Sequence, residues 1–211
     1  YSAINNFAVR EAQGEYLLFL NNDVEIITES WLEEMLQLCQ QKDVGMAGAK
    51  LYYPDDTIQH AGVVVGLGGV AAHVLCKLPR DAEGYMGRLR CVQEISAVTA
   101  ACMMVKTSVF KAVGGFDEEL KVAFNDIDLC MKVRKYGVKI VFTPYAELYH
   151  YESKSRGMED TPEKQLRFSR EVNCFRRKWE RELLKGDPYY NPNLTLNNTD
   201  CSLRKQEKNG D

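Results

Sequence analysis

Short apolar runs recur along the chain, and segments in which apolar residues have helical spacing separate them. Continuous apolar runs are typical of strands covered on both faces, so strands are predicted at residues 15–20, 44–53, 94–107, 139–144 and 147–151. Helical spacing, ended at glycines such as Gly14 and Gly137, predicts helices at residues 3–13, 30–41, 108–113, 126–137 and 162–184. Strands that alternate with helices predict an α/β fold in which helices flank a mostly parallel sheet.

The segment at residues 62–94 departs from this alternation, because it is rich in glycine and shows no clear period. We expect a hairpin or flap there, followed by a mobile loop. Residues 79–90 carry mixed charges with almost no apolar periodicity, which predicts few buried contacts. That loop is either a lid over a ligand or an ordinary surface loop. Residues 1–185 are expected to form one domain, and residues 186–211 a polar tail.

Composition narrows the class of protein. The 211 residues are 45% hydrophobic, which suffices for one sizeable core, and the net charge of -3 argues against a nucleic-acid partner. No apolar run approaches the roughly 20 residues that a membrane-spanning helix needs. Seven scattered cysteines without a C-x-x-C pair favour a reduced, cytoplasmic setting. The N-x-T sequons at Asn193 and Asn197 point weakly the other way.

The first candidate for chemistry is "NND", which consists of Asn21, Asn22 and Asp23 and directly follows the apolar run "YLLFL". In open α/β sheets, ligands bind beyond the carboxyl ends of the strands. A magnesium-like ion takes one or two carboxylates together with substrate phosphates, and "NND" can supply a carboxylate. The competing interpretation is a strand end followed by ordinary turn-forming residues.

The second candidate lies in "FNDIDLCMKVRKYG", at the start of a predicted helix. Asn125, Asp126 and Asp128 are suited to the positive end of a helix and would simply begin it. Asp126 would also be a carboxylate at a helix mouth, which suits general-base catalysis. The residues alone leave both interpretations open.

The third candidate is His150 in "ELYHYESKSRG", at the end of a predicted strand. An imidazole there is a reasonable third element of a metal site, and the nearby Lys154 and Arg156 can meet phosphate oxygens. A histidine with a purely structural role is the alternative.

These three elements, in this order and with "GGFDEEL" just before the second, resemble the family-two inverting glycosyltransferases of the GT-A fold. The similarity is greatest to the rhamnosyltransferase-like bacterial branch. It rests on "NNFAVREAQGEYLLFLNNDVEI", "MMVKTSVFKAVGGFDEEL", "FNDIDLCMKVRKYG" and "HYESKSRG", which cover most of residues 5–157, and it extends to "DPYYNPNLTL".

The resemblance implies a nucleotide-sugar donor, a divalent metal (Mn or Mg) and an acceptor hydroxyl on a glycan or a lipid-linked acceptor. "NND" occupies the place of the family's D-x-D motif, so Asn21 replaces the first acid of that motif. "ND" at residues 125 and 126 occupies the place of the family's Glu-Asp pair, so Asn125 replaces the glutamate. The implied roles are metal ligands Asp23 and His150, catalytic base Asp126, donor-binding residues Asn6, Asn22, Lys154 and Arg156, and acceptor-side residues Asp117 and Asn125.

One departure concerns the beginning of the chain. The family's first strands and the acidic residue that recognises the nucleotide base are expected before Tyr1, so the fold is expected to be N-terminally truncated and to expose an apolar sheet edge. The implied function is synthesis of polysaccharide or cell-surface glycan in the cytoplasm, with peripheral association at the inner face of the membrane. The alternatives are a non-catalytic domain of the same fold that binds glycan or protein, and a nucleotidyltransferase.

Overall fold

The computed structural model describes residues 1–151 and 161–205 as helices flanking a central sheet. The helices are α1 Ser2–Glu11, α2 Trp31–Cys39, α3 Thr107–Ala112, α4 Asn125–Tyr136, α5 Pro162–Lys178 and α6 Glu180–Lys185. The strands are β1 Tyr16–Leu20, β2 Val24–Ile26, β3 Val44–Tyr52, β4 Ile58–His60, β5 Val63–Val65, β6 Ala71–His73, β7 Gln93–Glu94, β8 Cys102–Lys106 and β9 Lys139–His150. Short 3-10 segments span Leu67–Gly69 and Tyr85–Arg90.

The central sheet has the strand order β1-β8-β3-β9-β2, with β4 paired to β3 and β7 paired to β9. The predicted α/β class is confirmed. The expectation of a mostly parallel sheet needs correction, because β3 and β9 pair in parallel while the other pairs of this sheet are antiparallel. Strand β8 runs against both of its neighbours, and an apolar run carries no signal for the direction of its strand.

Strand β3 is buried along its whole length because apolar layers cover both faces of the sheet. On one face Ala47 and Leu51 pack in a cluster with Trp31 and Met35 of α2. On the other face Met46 lies in a larger cluster with residues of α4 such as Leu129 and Val133. The nearly continuous apolar sequence of β3, interrupted by Lys50, follows from this alternation, since successive side chains of a strand point to opposite faces.

The loop at residues 79–90 is anchored, so the expectation of few buried contacts was wrong. Leu89 is 1% exposed, and its carbonyl accepts a hydrogen bond from the buried Lys50 ammonium at 3.4 Å. Arg80 lies 3.4 Å from the Glu147 carboxylate. These anchors come from residues distant in sequence, and a search for local periodicity does not detect them.

The segment that follows α6 also packs on the domain. Tyr190, Leu194 and Cys201 belong to the larger core cluster, and the backbone amide of Leu75 donates to the carbonyl of Thr199 at 2.6 Å. The packed core therefore continues past the predicted boundary at residue 185.

Strand β1 lies at one edge of the central sheet. Leu20 is 40% exposed there, and α1 exposes Ile4 and Phe7 by 70% and 62%. Apolar side chains are thus exposed on both β1 and α1, and the N-terminal truncation of the fold stays a prediction. In the parts of the chain that the structure describes, no helix has the length and apolarity to cross a bilayer.

A close approach between β3 and the residue that precedes β9 generates a test of the packing. A Cβ atom on Gly45 would lie 2.4 Å from Cγ2 and 3.2 Å from Cβ of Val138. Gly45→Ala should lower the free energy of unfolding by about 1–3 kcal/mol, the range for an overfilled core. Val138→Ala removes the opposing methyl groups and should restore part of the lost free energy of unfolding.

The measurement is denaturant unfolding of the wild type, both single variants and the double variant. Contacting residues are expected to be non-additive by about 0.5–3 kcal/mol. Additive effects would show that the two residues do not contact.

Candidate active site

Two strand ends and one helix start meet at the same edge of the sheet. Asp23 precedes β2, and β2 pairs with the end of β9 so that Val24 lies opposite His150. The amide of Tyr151 donates to the carbonyl of Asp23 at 2.8 Å. This register places the Asp23 carboxylate 3.3 Å from Nε2 of His150.

These groups open into a cavity of about 750 Å³. Asp126, at the start of α4, lies in the same lining. The predicted residues that share this lining are Asn21, Asn22, Asp23, Asn125, Asp126 and His150. The structure therefore brings together all three elements that the sequence singled out.

His150 is held by Gln59, a buried residue of β4. The side-chain amide of Gln59 donates to the His150 carbonyl at 3.2 Å, which assigns its oxygen as the acceptor facing Nδ1 at 2.7 Å. Nδ1 then carries a proton, and in the neutral imidazole the lone pair of Nε2 faces Asn21 and Asp23. The amide of Asn21 lies 3.1 Å from that Nε2.

Two further histidines lie behind His150. The backbone carbonyl oxygen of Gln59 is 2.8 Å from Nδ1 of His73. The rings of His60 and His73 make an edge contact, with their centroids 4.8 Å apart. Burial, with smaller contributions from His73 and His150, holds the pKa of His60 well below its usual range. His60 is therefore a neutral packing residue near neutral pH.

Asp126 is oriented by backbone amides. Its two carboxylate oxygens accept hydrogen bonds from Ile127 at 2.9 Å and from Ala100 at 3.2 Å. The Tyr1 hydroxyl donates to the Ala100 carbonyl at 3.1 Å; burial and the negative charge of Asp126 raise the pKa of that phenol. The carboxylate is thus fixed at the cavity wall beside a phenol that retains its proton.

Asn125 is buried at the start of α4, with its side-chain amide donating to the carbonyl of Val122 at 3.1 Å. Asp128 is fully buried, is not part of the cavity lining, and accepts a hydrogen bond from the Trp179 indole at 2.8 Å. Asp128 therefore has a structural role, and Asp126 is the carboxylate of α4 that lines the cavity.

Two predicted residues lie outside the cavity lining. The Asn6 side chain exchanges hydrogen bonds of 2.9 Å with the backbone of Phe116, which fixes the segment before α4. Asp117 forms an ion pair with Lys178 at 2.5 Å. Backbone and ion-pair partners engage both side chains, so the donor contact of Asn6 and the acceptor contact of Asp117 stay predictions. Lys154 and Arg156 lie outside the described residues.

Sequence reasoning missed two residues of this region. Gln59 contacts His150 from 91 positions away, and no spacing pattern signals that contact. Lys121 lines the cavity and is the kind of cation that the sequence placed only at Lys154 and Arg156. The sequence signal that could have identified Lys121 was its position five residues before Asp126.

The implied divalent ion fits the donors at this edge. Residues 1–151 and 161–205 contain no group of three His, Cys, Asp or Glu side chains that would hold a metal by themselves. Asp23 and His150 provide one oxygen and one nitrogen ligand, with side chains only 17% and 10% exposed. Such a pair suits an ion that takes its remaining ligands from a diphosphate and water.

Comparison with known proteins gives the family. A sequence profile described as "Glycosyltransferase like family" matches residues 1–171. The chain is 56% identical over 204 residues to "Uncharacterized protein y4gI" of Sinorhizobium fredii, covering 96% of this chain and 22% of the relative. It is 42% identical over 212 residues to "O-antigen biosynthesis protein RfbC" of Myxococcus xanthus, covering 100% of this chain and 16% of the relative. The chain thus spans about a fifth of the length of these relatives.

The fold is similar to that of the mannosyltransferase PcManGT of Pyrobaculum calidifontis, solved in complex with GDP-Man and Mn²⁺. The TM-score is 0.55 at 15% identity, over 86% of this chain and 44% of the mannosyltransferase chain. The profile match covers most of the chain, and the fold agrees with it. The chain belongs to the glycosyltransferase-like family, as a family-two domain with the GT-A fold.

Proposed function

We propose that this chain catalyses metal-dependent transfer of a sugar from a nucleotide-sugar donor to an acceptor hydroxyl, with inversion at the anomeric carbon. The observation that carries the proposal is the meeting of Asp23, His150 and Asp126 at one cavity. The relative that acts in O-antigen biosynthesis supports a role in the synthesis of cell-surface glycan. The mannosyltransferase with GDP-Man and Mn²⁺ supports the donor and the metal.

Asp23 and His150 would hold the divalent ion, which, when bound, neutralises charge that develops on the leaving diphosphate. Asn22 and Lys121 line the same cavity and would contact the donor, with Lys154 and Arg156 as further cations for the diphosphate. Preorganised positive charge of this kind stabilises a transition state that develops negative charge.

Asp126 would accept the proton of the acceptor hydroxyl as its oxygen attacks the anomeric carbon. The bond from that carbon to the leaving diphosphate breaks on the opposite face, so one displacement inverts the configuration. The backbone amides of Ala100 and Ile127 hold the carboxylate without consuming all of its acceptor capacity. Asn125 would lie on the acceptor side, and the acceptor would be a glycan or a lipid-linked sugar at the cytoplasmic face of the membrane.

Metal removal tests the ion. Excess chelator should abolish sugar transfer by the full-length protein, and Mn²⁺ or Mg²⁺ should restore it, because the ion that Asp23 and His150 would hold neutralises charge on the leaving diphosphate. Release of nucleoside diphosphate is the measurement, after a screen for the donor. Full turnover in excess chelator would contradict metal dependence.

Asp126→Asn tests the base. The variant keeps the shape of the side chain and removes the proton acceptor, so kcat should fall by about 10²–10⁴-fold. Asp43→Asn is the matched control, because Asp43 is an exposed aspartate with a side chain 59% accessible. A loss in the folded Asp126→Asn protein of less than about tenfold would exclude general-base catalysis by this residue. Donor binding without transfer by the wild type would favour the non-catalytic alternative.

Gln59→Leu tests the orientation of His150. Without an acceptor for the Nδ1 proton, the imidazole should populate both neutral tautomers, which the ¹⁵N chemical shifts of His150 report in metal-free protein. Mn²⁺ affinity in the presence of nucleoside diphosphate should fall by about 10–100-fold, the usual effect of losing such a support.

Gln59→Glu keeps an acceptor opposite Nδ1 and should preserve the tautomer, whereas Gln37→Leu on the exposed side of α2 should change neither quantity. Unchanged ¹⁵N shifts in Gln59→Leu would show that another group sets the tautomer.

A further inference from the structure

The loop that leads into Asp126 is held by a helix distant in sequence. Glu171 of α5 is 3% exposed, and its carboxylate accepts three consecutive backbone hydrogen bonds. One oxygen accepts from Lys121 at 2.9 Å and Val122 at 3.0 Å, and the other accepts from Ala123 at 3.1 Å. Three converging amides compensate a buried carboxylate, which would otherwise be costly to desolvate.

The same face of α5 holds the next residue of the loop. The Phe124 ring lies 5.7 Å from the ring of Phe168 and 5.4 Å from that of Phe175. Residues 168, 171 and 175 are three and four positions apart, so they project from one face of the helix. We name Phe168, Glu171 and Phe175 the α5 clamp.

The clamp holds a backbone conformation that is unfavourable alone. Phe124 has φ 62°, in the left-handed region that a bulky side chain rarely adopts. Such a residue persists only where its surroundings determine it. Its neighbours in the chain are Asn125 and Asp126, so this turn sets where α4 begins and where the Asp126 carboxylate points.

The carbonyl groups of the loop are also engaged. The Ser2 hydroxyl donates to the carbonyl of Leu120 at 2.6 Å, and the Asn125 amide donates to that of Val122 at 3.1 Å. The backbone amides of the loop are thus hydrogen-bonded to Glu171, whereas its backbone carbonyls are hydrogen-bonded to residues near the cavity. Removal of the carboxylate therefore releases one side of the loop and leaves the other in place.

We propose that Glu171 is a positioning residue for the catalytic base, and that the α5 clamp sets the distance between Asp126 and the reacting hydroxyl. The inference rests on the proposed function of Asp126. Because a misplacement of about 1 Å can reduce a rate by about 10²-fold, a loosened loop should affect catalysis more than donor binding.

The test compares Glu171→Gln with Glu163→Gln in the full-length protein. Glu163 is an exposed glutamate of the same helix, so the pair is matched in chemistry and in helix. The Glu171→Gln amide can still accept hydrogen bonds through its oxygen, but its NH₂ group faces the remaining backbone donor. We expect kcat to fall about tenfold or more, and by a larger factor than the KM for the donor rises, because the clamp holds Lys121 only through its backbone amide. The Mn²⁺ affinity should stay within about twofold of the control, since Asp23 and His150 do not touch the clamp.

Hydrogen exchange gives a readout that does not depend on turnover. The amides of residues 121–123 should exchange at least about tenfold faster in Glu171→Gln than in the control, because exchange reports local opening. Phe168→Leu, at a residue 41% exposed, is a second variant that keeps the carboxylate and removes one aromatic wall. It should also lower kcat, again by a larger factor than it raises the donor KM.

The proposal is overturned if the folded Glu171→Gln protein keeps kcat within about twofold of the control, or if the loop amides stay protected. Equal losses in kcat and in donor binding would also overturn it, because they indicate general disruption. The sugar-transfer activities of the wild type and of Asp126→Asn are measured first. A wild type that transfers no sugar ends the proposed function and the clamp's role together, whereas failure of Glu171→Gln alone leaves the proposed function intact.

Discussion

The pairing of β2 with the last residues of β9 is the constraint on which the candidate site depends. This short antiparallel register puts Val24 opposite His150 and thereby sets Asp23 beside the imidazole. A shift of one residue would turn His150 to the other face of the sheet, since side chains alternate along a strand. The parallel pairing of β9 with the fully buried β3 fixes the register from the other side. The sheet thus supplies a rigid half of the site.

The other half of the site belongs to α4 and the loop before it. Asp126 is oriented by Ala100, which precedes β8, and the loop is held by Glu171 from α5. The two halves therefore have separate supports, Gln59 for the metal-binding edge and Glu171 for the base. Both supports are buried polar side chains with paired hydrogen bonds. Buried polar groups of this kind specify one arrangement when every partner is present.

Sequence reasoning located Asp23, Asp126 and His150 because each follows or begins an element with a clear apolar pattern. It also predicted most elements, although β9 is one strand where two were expected, and β8 begins later than predicted. Sequence reasoning did not predict the features that depend on contacts between residues distant in sequence. The direction of β8 and the anchoring of Leu89 are set by the assembled sheet and leave no local period. Gln59 and Glu171 likewise act on residues 91 and about 50 positions away. Asn6 and Asp117 were assigned by family position, whereas their hydrogen bonds and ion pair belong to the frame around the site.

The central claim is that the strand register makes Asp23 and His150 ligands of one divalent ion. Pulsed electron paramagnetic resonance on the full-length protein, with Mn²⁺, nucleoside diphosphate and ¹⁵N-labelled histidine, tests it most directly. The account predicts coupling of the ion to one imidazole nitrogen, which disappears in His150→Ala and persists in His73→Ala. Bound Mn²⁺ without nitrogen coupling, or coupling that survives in His150→Ala, would contradict the account.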